Sequence, residues 1–150
     1  ITAQADIVAI GGEQGVVEDL DDILKVLQDM MRCDVLEEAF ENELILGWNH
    51  AELRDRSHHP QKYFQIKQML LPRYTMGAVY ARLNLIRTEI RACEVTAVDA
   101  FTERGAVSQP GILECLNRLS SALHIMMCKY LGNAYANGEN VPDAGGLSAE

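Results

Sequence analysis

The stretch LNLIRTEIRACE, Leu83 to Glu94, and the shorter LNRLSS, Leu116 to Ser121, each place strongly polar side chains inside what otherwise reads as buried helix. On a helix turning about 100° per residue, Tyr80, Asn84, Arg87, Arg91 and Glu94 share one narrow stripe. It runs beside the apolar stripe of Met76, Val79, Leu83, Ile86 and Ile90. An unpaired guanidinium is costly to bury, so a helical bundle with two of them at its seam must supply anionic partners, from the protein or from a ligand. An exposed ladder of ion pairs is the competing reading of Arg87, Arg91 and Glu94. Against it stand the unbroken apolar stripe and the position of Glu94 C-terminal to the arginines, the weaker orientation for a solvated pair.

Working outward, two long helices are predicted over roughly Thr75 to Thr102 and Pro110 to Ala134, the second with proline in its first turn. Leu20, Ile23, Leu24, Leu27, Met30 and Met31 predict an amphipathic helix from Glu18, opened by acids that suit its dipole. A second helical run is expected from Val35 to about Leu46, ended by Gly47, with Asn49 capping a short helix through Arg54. Ser57 to Tyr74 contains two prolines and no sustained periodicity, so it reads as a crossover of functional-loop character. With strand-like alternation nearly absent, the fold class is all-α, a bundle of four or five helices in one domain over 18–136. Residues 1–17 read as an extended or flexible lead-in and 137–150 as a disordered tail. The chain opens on Ile1 rather than methionine and reads as the ordered part of a longer polypeptide.

A formal net charge of -9 argues against a nucleic-acid partner, since no basic face of the required size is present. The basic residues that do occur concentrate where the polar stripes lie, at Arg82, Arg87, Arg91 and Arg118, a local contrast suited to a small polyanion. The four cysteines form no CxxC pair, so neither a zinc site nor a disulfide framework is signalled and a reducing cytoplasm is the simpler reading. No run of about 18 apolar residues and no signal segment occurs, so no membrane association is expected.

On the last helix Asn117, Ser121, His124 and Cys128 share a stripe beside Leu116, Leu123 and Met127. A nucleotide could satisfy the Asn117 amide, and so could an interhelical bond. Cys128 and His124 read as seam residues, one of His58 and His59 as a loop anchor, and Trp48, Met30, Met31, Met69, Met76, Met126 and Met127 as packing. No nucleophilic triad and no HExxH motif is present, and GGEQG lacks the Gly-Lys-Ser/Thr ending of a phosphate loop.

The spaced segments DDILKVLQDMMRCDVLEE, HHPQKYF, LLP, ARLNLIRTEIRACE and GILECLNRLSSALHIMM, taken in that order from Asp21 to about Tyr130, resemble the cobalamin adenosyltransferases, most closely the ethanolamine-utilisation (EutT-type) branch. The resemblance implies a five-helix bundle assembled as a homotrimer with intersubunit sites. It implies transfer of the 5′-deoxyadenosyl group from ATP to the cobalt of cob(I)alamin, with a divalent metal, magnesium, accompanying the nucleotide. Carried over by motif, Arg91 and Asn117 would contact ATP, Glu94 would orient that arginine or the nucleotide, and Arg87 would pair with an acid on the first long helix, Asp21 or next to it Asp22. The corrinoid-facing wall would involve Met69, Leu70 and Leu71. The metal-ligand assignment stays unknown, because the upstream histidine and cysteine cluster of many ethanolamine-type enzymes does not occur in this chain. The TRTGDxG phosphate loop of the propanediol-utilisation branch is missing too, with GGEQG as a divergent stand-in. Ser121, where that branch has aspartate, agrees with the ethanolamine type. A cytoplasmic or microcompartment location and hand-off to a cobalamin-dependent lyase would follow. The alternatives are a non-catalytic ATP- or corrinoid-binding or adenosylcobalamin-delivery protein of the same fold, and a helical scaffold whose arginines serve subunit contacts.

Overall fold

The structure is a computed structural model that describes residues 1–136; the tail expected over 137–150 lies outside the described residues. Six α-helices occur there: α1 (Thr2–Ala9), α2 (Gln14–Val35), α3 (His50–His58), α4 (Pro60–Phe64), α5 (Ala78–Phe101) and α6 (Pro110–Leu131). A two-residue hairpin, β1 (Thr102–Glu103) with β2 (Ala106–Val107), turns the chain between α5 and α6. The all-α bundle is therefore borne out. Its centre is α6, which buries ten side chains from Ile112 to Cys128 and packs most extensively on α5 and then α3. Val79, Leu83 and Ile90 are the α5 side of that core, as the apolar stripe predicts.

Two expectations fail, for local reasons. The lead-in is not extended: residues 2–9 form α1, which sinks Ile7 completely into the core. Its glycines end the helix rather than loosen it. Gly11 takes the left-handed conformation, φ 70°, with its amide bonded to the Val8 carbonyl and the Gly12 amide bonded to Ile7 at 2.8 Å, a Schellman ending. Helix α2 then starts a turn earlier than Glu18, so no acid occupies its first turn.

The helix expected over 35–46 does not form. Helix α2 stops at Val35 in a second Schellman ending, with Glu37 at φ 56° and the Glu38 amide bonded to the Cys33 carbonyl at 2.9 Å. The chain then runs irregularly, burying Phe40 and Ile45, to a turn at Leu46–Gly47 closed by the Ile45–Trp48 bridge. It lies directly on the first turn of α6: a Cβ on Gly111 would stand 1.9 Å from the Phe40 carbonyl oxygen. Asn49 caps α3 as expected, in a reciprocal box with Glu52 at 2.9 Å each way, and the helix continues past Arg54 to His58.

Of the residues read as packing, Met30, Met126 and Met127 are buried, whereas Met31 is 69% and Met69 85% exposed. Met31 lies past the apolar face of α2, and Met69 stands in the loop after α4 with a left-handed backbone, φ 61°.

Candidate functional site

Helices α5 and α6 bring three of the expected site residues into one network. The Glu94 carboxylate accepts from Arg91 Nη1 through Oε2 at 2.7 Å and from Asn117 Nδ2 through Oε1 at 3.1 Å. The carboxylate is only 15% exposed, while Arg91 is 59% exposed. Glu94 thus crosslinks α5 and α6, the two helices that pack most extensively on each other. It also leaves Arg91 with unused donors facing solvent and Asn117 with its carbonyl oxygen, a set able to hold phosphate or ribose oxygens.

Arg87, one turn N-terminal of Arg91, points to a different place. Its Nη2 donates to Asn84 Oδ1 at 3.1 Å, its Nε is buried without a partner among the described residues, and it lines a cleft of about 780 Å³. The same cleft is walled by Met69, Leu70, Leu71 and Pro72, so the expected corrinoid-facing residues do stand together on a cavity, their side chains largely exposed.

The expected pairing of Arg87 with Asp21 is absent within the chain. Asp21 bonds Lys25 at 3.1 Å, four residues on along α2, and Asp22 approaches the same lysine at 3.6 Å. The reason is the rotation of α2. It turns Leu20 and Ile23 toward α5, where they line an apolar groove with Ile86 and Ile90, and Asp21 falls outside that face, in a separate depression beside Gln4 and Gln14.

The cleft floor is poorly solvated. Burial, then the positive charges of Arg87 and His58, hold the His124 imidazole below its ordinary range, so it is neutral near pH 7. Burial pushes the Cys128 thiol up to about 11, so its 3.7 Å contact with His124 Nε2 joins two neutral groups rather than an activated thiolate and imidazolium. Burial likewise raises Tyr80. Among the described residues no group of three or more His, Cys, Asp or Glu could hold a metal ion. No described helix is long and apolar enough to cross a membrane.

Three features escaped the sequence reading. Arg56 is 7% exposed and lies between the Trp48 and Tyr63 rings, 4.9 and 4.8 Å from their centroids. Tyr63 hydrogen-bonds Asp55, whose other oxygen and main-chain carbonyl hold His59 Nδ1 at 2.9 and 3.0 Å. Asp19 on α2 takes both Lys129 at 3.0 Å and the Tyr135 hydroxyl at 2.6 Å, tying α2 to the end of α6. The i,i+4 spacing of Asp55 and His59 is the one signal that could have been read. The Arg56 sandwich draws its rings from outside its own helix, before α3 and in α4, and the Asp19 tie joins residues too far apart in the chain.

The glycine-rich GGEQG does not act as a phosphate cradle through its first two glycines, because both of their amides are consumed in ending α1. The stand-in expected there is therefore corrected.

Comparison with known proteins agrees with this arrangement. The profile of the cobalamin adenosyltransferase family matches residues 2–130. The corrinoid adenosyltransferase EutT of Salmonella typhimurium is 39% identical over 107 residues, 71% of this chain and 40% of the relative. EutT of Escherichia coli K12 is 38% identical over 109 residues, 72% of this chain and 40% of the relative. The chain thus spans about 40% of the length of these curated relatives. No solved structure matches. The match runs from α1 to the end of α6 and takes in the Arg91–Glu94–Asn117 network and the cleft alike, and on that extent the chain belongs to the cobalamin adenosyltransferase family.

Proposed function

We propose that this chain is the helical-bundle part of a corrinoid adenosyltransferase serving ethanolamine utilisation. The cob(I)alamin cobalt donates its electron pair to C5′ of ATP; the C5′–O bond breaks and its electrons leave with triphosphate. No protein nucleophile or base is required, so the residues need only position the two substrates, neutralise the leaving group and exclude water. The observation that carries the reading is the placement of Arg91 and Arg87 on successive turns of α5. The first belongs to the Glu94–Asn117 network and the second to the cleft with Met69–Leu71. Two substrates bound at these places would meet across about one helical turn, roughly 5 Å.

In this reading Arg91 and Asn117 contact ATP, Glu94 fixes their geometry, and Arg87 meets Asp21 of a second copy, in a homotrimer with sites between subunits. Magnesium enters with the nucleotide phosphates rather than in a protein cage. The location is the cytoplasm or a bacterial microcompartment, where product passes to a cobalamin-dependent lyase. Anaerobic incubation with ATP, magnesium and reduced cobalamin should give the adenosylcobalamin spectrum, and Arg91→Ala should abolish it. Unchanged turnover in that variant sinks the site assignment.

A second reading, a protein that binds or delivers ATP or adenosylcobalamin without making it, is favoured by one observation: Gly11 and Gly12 close α1 instead of cradling phosphate. Calorimetric binding with no product formed would decide for it.

A further inference from the structure

The cleft that holds Arg87 is electrostatically unlike the rest of the molecule. In a chain of net charge -9, no aspartate or glutamate is among the described residues that line it. Its basic side chains stand at two depths. Arg87 and the neutral His124 are in the floor, half-buried, whereas His58, His59 and Lys67 are exposed at the mouth. Arg87 is set aside for Asp21 by the reading above, so the rim remains without an assigned role.

The rim is organised rather than incidental. His59 stands at the α3–α4 junction with Nδ1 held against Asp55, and that carboxylate is fixed from behind by the Tyr63 hydroxyl. With Nδ1 taken up in this way, Nε2 is the ring nitrogen left to a ligand, and a protonated ring would donate from it. The His58 carbonyl accepts from Gln68 Nε2 at 3.4 Å, which tethers the loop carrying Lys67 beside the two histidines. Directly after it come Met69, Leu70 and Leu71, at 85%, 41% and 72% exposure. Lys67 and the apolar lip lie in one loop after α4, with the two histidines tethered beside it from the α3–α4 junction, the layout that a broad apolar ligand with an anionic appendage would fit.

We propose that His58, His59 and Lys67 bind a phosphate ester carried by the ligand of this cleft. The inference rests on the adenosyltransferase reading, in which two molecules carry that chemistry: the corrinoid, through the phosphodiester of its nucleotide tail, and ATP, through its triphosphate. A ring seated on Met69–Leu71 puts its tail within reach of Lys67, so the corrinoid is the expected source.

The test measures equilibrium binding of cob(II)alamin, of cobinamide (which lacks the nucleotide tail) and of ATP. The proteins are the whole chain and its H58Q/H59Q/K67Q variant, with circular dichroism showing both folded. Loss of the Lys67 charge and of the two imidazole rings should weaken cobalamin binding roughly tenfold or more, leaving cobinamide and ATP unchanged. A loss confined to ATP keeps the phosphate site and assigns it to the triphosphate. Equal loss for cobalamin and cobinamide, or no loss for any ligand, overturns the inference while leaving the adenosyltransferase reading standing. A parent chain that binds neither corrinoid nor ATP overturns both. If the triple variant fails to fold, K67Q alone must show the same cobalamin-specific loss in smaller measure.

Discussion

Glu94 divides its carboxylate between two helices, Oε2 to Arg91 on α5 and Oε1 to Asn117 on α6. A glutamine there has one acceptor oxygen and no charge, so it can serve only one of the two donors. If the proposed function holds, Glu94→Gln should lower kcat/KM for adenosylation about 100-fold, because the arginine that would meet the departing triphosphate loses its fixed geometry. Stability should hardly move in a urea titration, since Arg91 is more than half exposed and such pairs contribute little. Full activity in that variant would remove Glu94 from the site. His124 makes a prediction in pH. Its folded pKa is depressed by burial first and by Arg87 and His58 after it, so below about 6.5 the unfolded chain takes up a proton that the folded chain resists. The stability it contributes is complete above that value and is lost as pH falls toward the folded pKa. Asp55, whose pKa the Tyr63 hydrogen bond lowers from 3.8, acts in a separate and more acidic window. The urea midpoint should therefore fall between about pH 7.5 and 5.5, and less so in His124→Gln. An equal fall in both proteins would show that another group is responsible.

Among the elements, the three Schellman endings explain both what could be read from the chain and what could not. Helix α6 ends with Asn133 at φ 58° and α1 with Gly11 at φ 70°, residue types that tolerate the left-handed conformation. Helix α2 ends with Glu37 at φ 56°, a residue that gives no such signal, and the periodic apolar positions beyond it therefore read as more helix. Glu37→Gly should stabilise the fold by about 0.5–1 kcal/mol, seen as a higher urea midpoint at unchanged slope, because the strain at this position disappears. A neutral or destabilising result would mean that the gain in unfolded-chain entropy offsets the strain. The α5 and α6 stripes were legible because period and burial coincide there: Leu83, Ile90, Leu116 and Leu123 are all buried as spaced. The segment between α2 and α3 was not, because it is fixed by the contact of Phe40 with Gly111, 71 residues away. The candidate site divides the same way. Arg91, Glu94 and Asn117 announce themselves by stripe and spacing, whereas the His59–Asp55–Tyr63 arrangement appears only when α4 folds back on α3.

At the scale of the whole molecule, the chain carries two unfinished features whose chemistry is complementary. Among the described residues Arg87 has no carboxylate partner and its Nε is buried without one, a state that costs free energy unless an anion completes it. Asp21 lies on the outer side of α2, ion-paired with Lys25, next to an apolar groove of about 490 Å³ between α2 and α5. Burial of that groove by a second copy would bring one chain's α2 against another, which is how a homotrimer would join Asp21 to Arg87. Sedimentation equilibrium should then give three times the mass of 16.7 kDa. Asp21→Arg and Arg87→Asp should each cut kcat/KM by roughly 10- to 100-fold, the range for a hydrogen bond to a charged partner. Because each site would draw the two residues from different chains, mixing the two single variants should restore activity in the sites that receive both native residues. The charge-swapped double variant should recover part of it throughout. A chain that sediments as a monomer, or a mixture no more active than its components, would leave Arg87 to find its anion in the ligand instead.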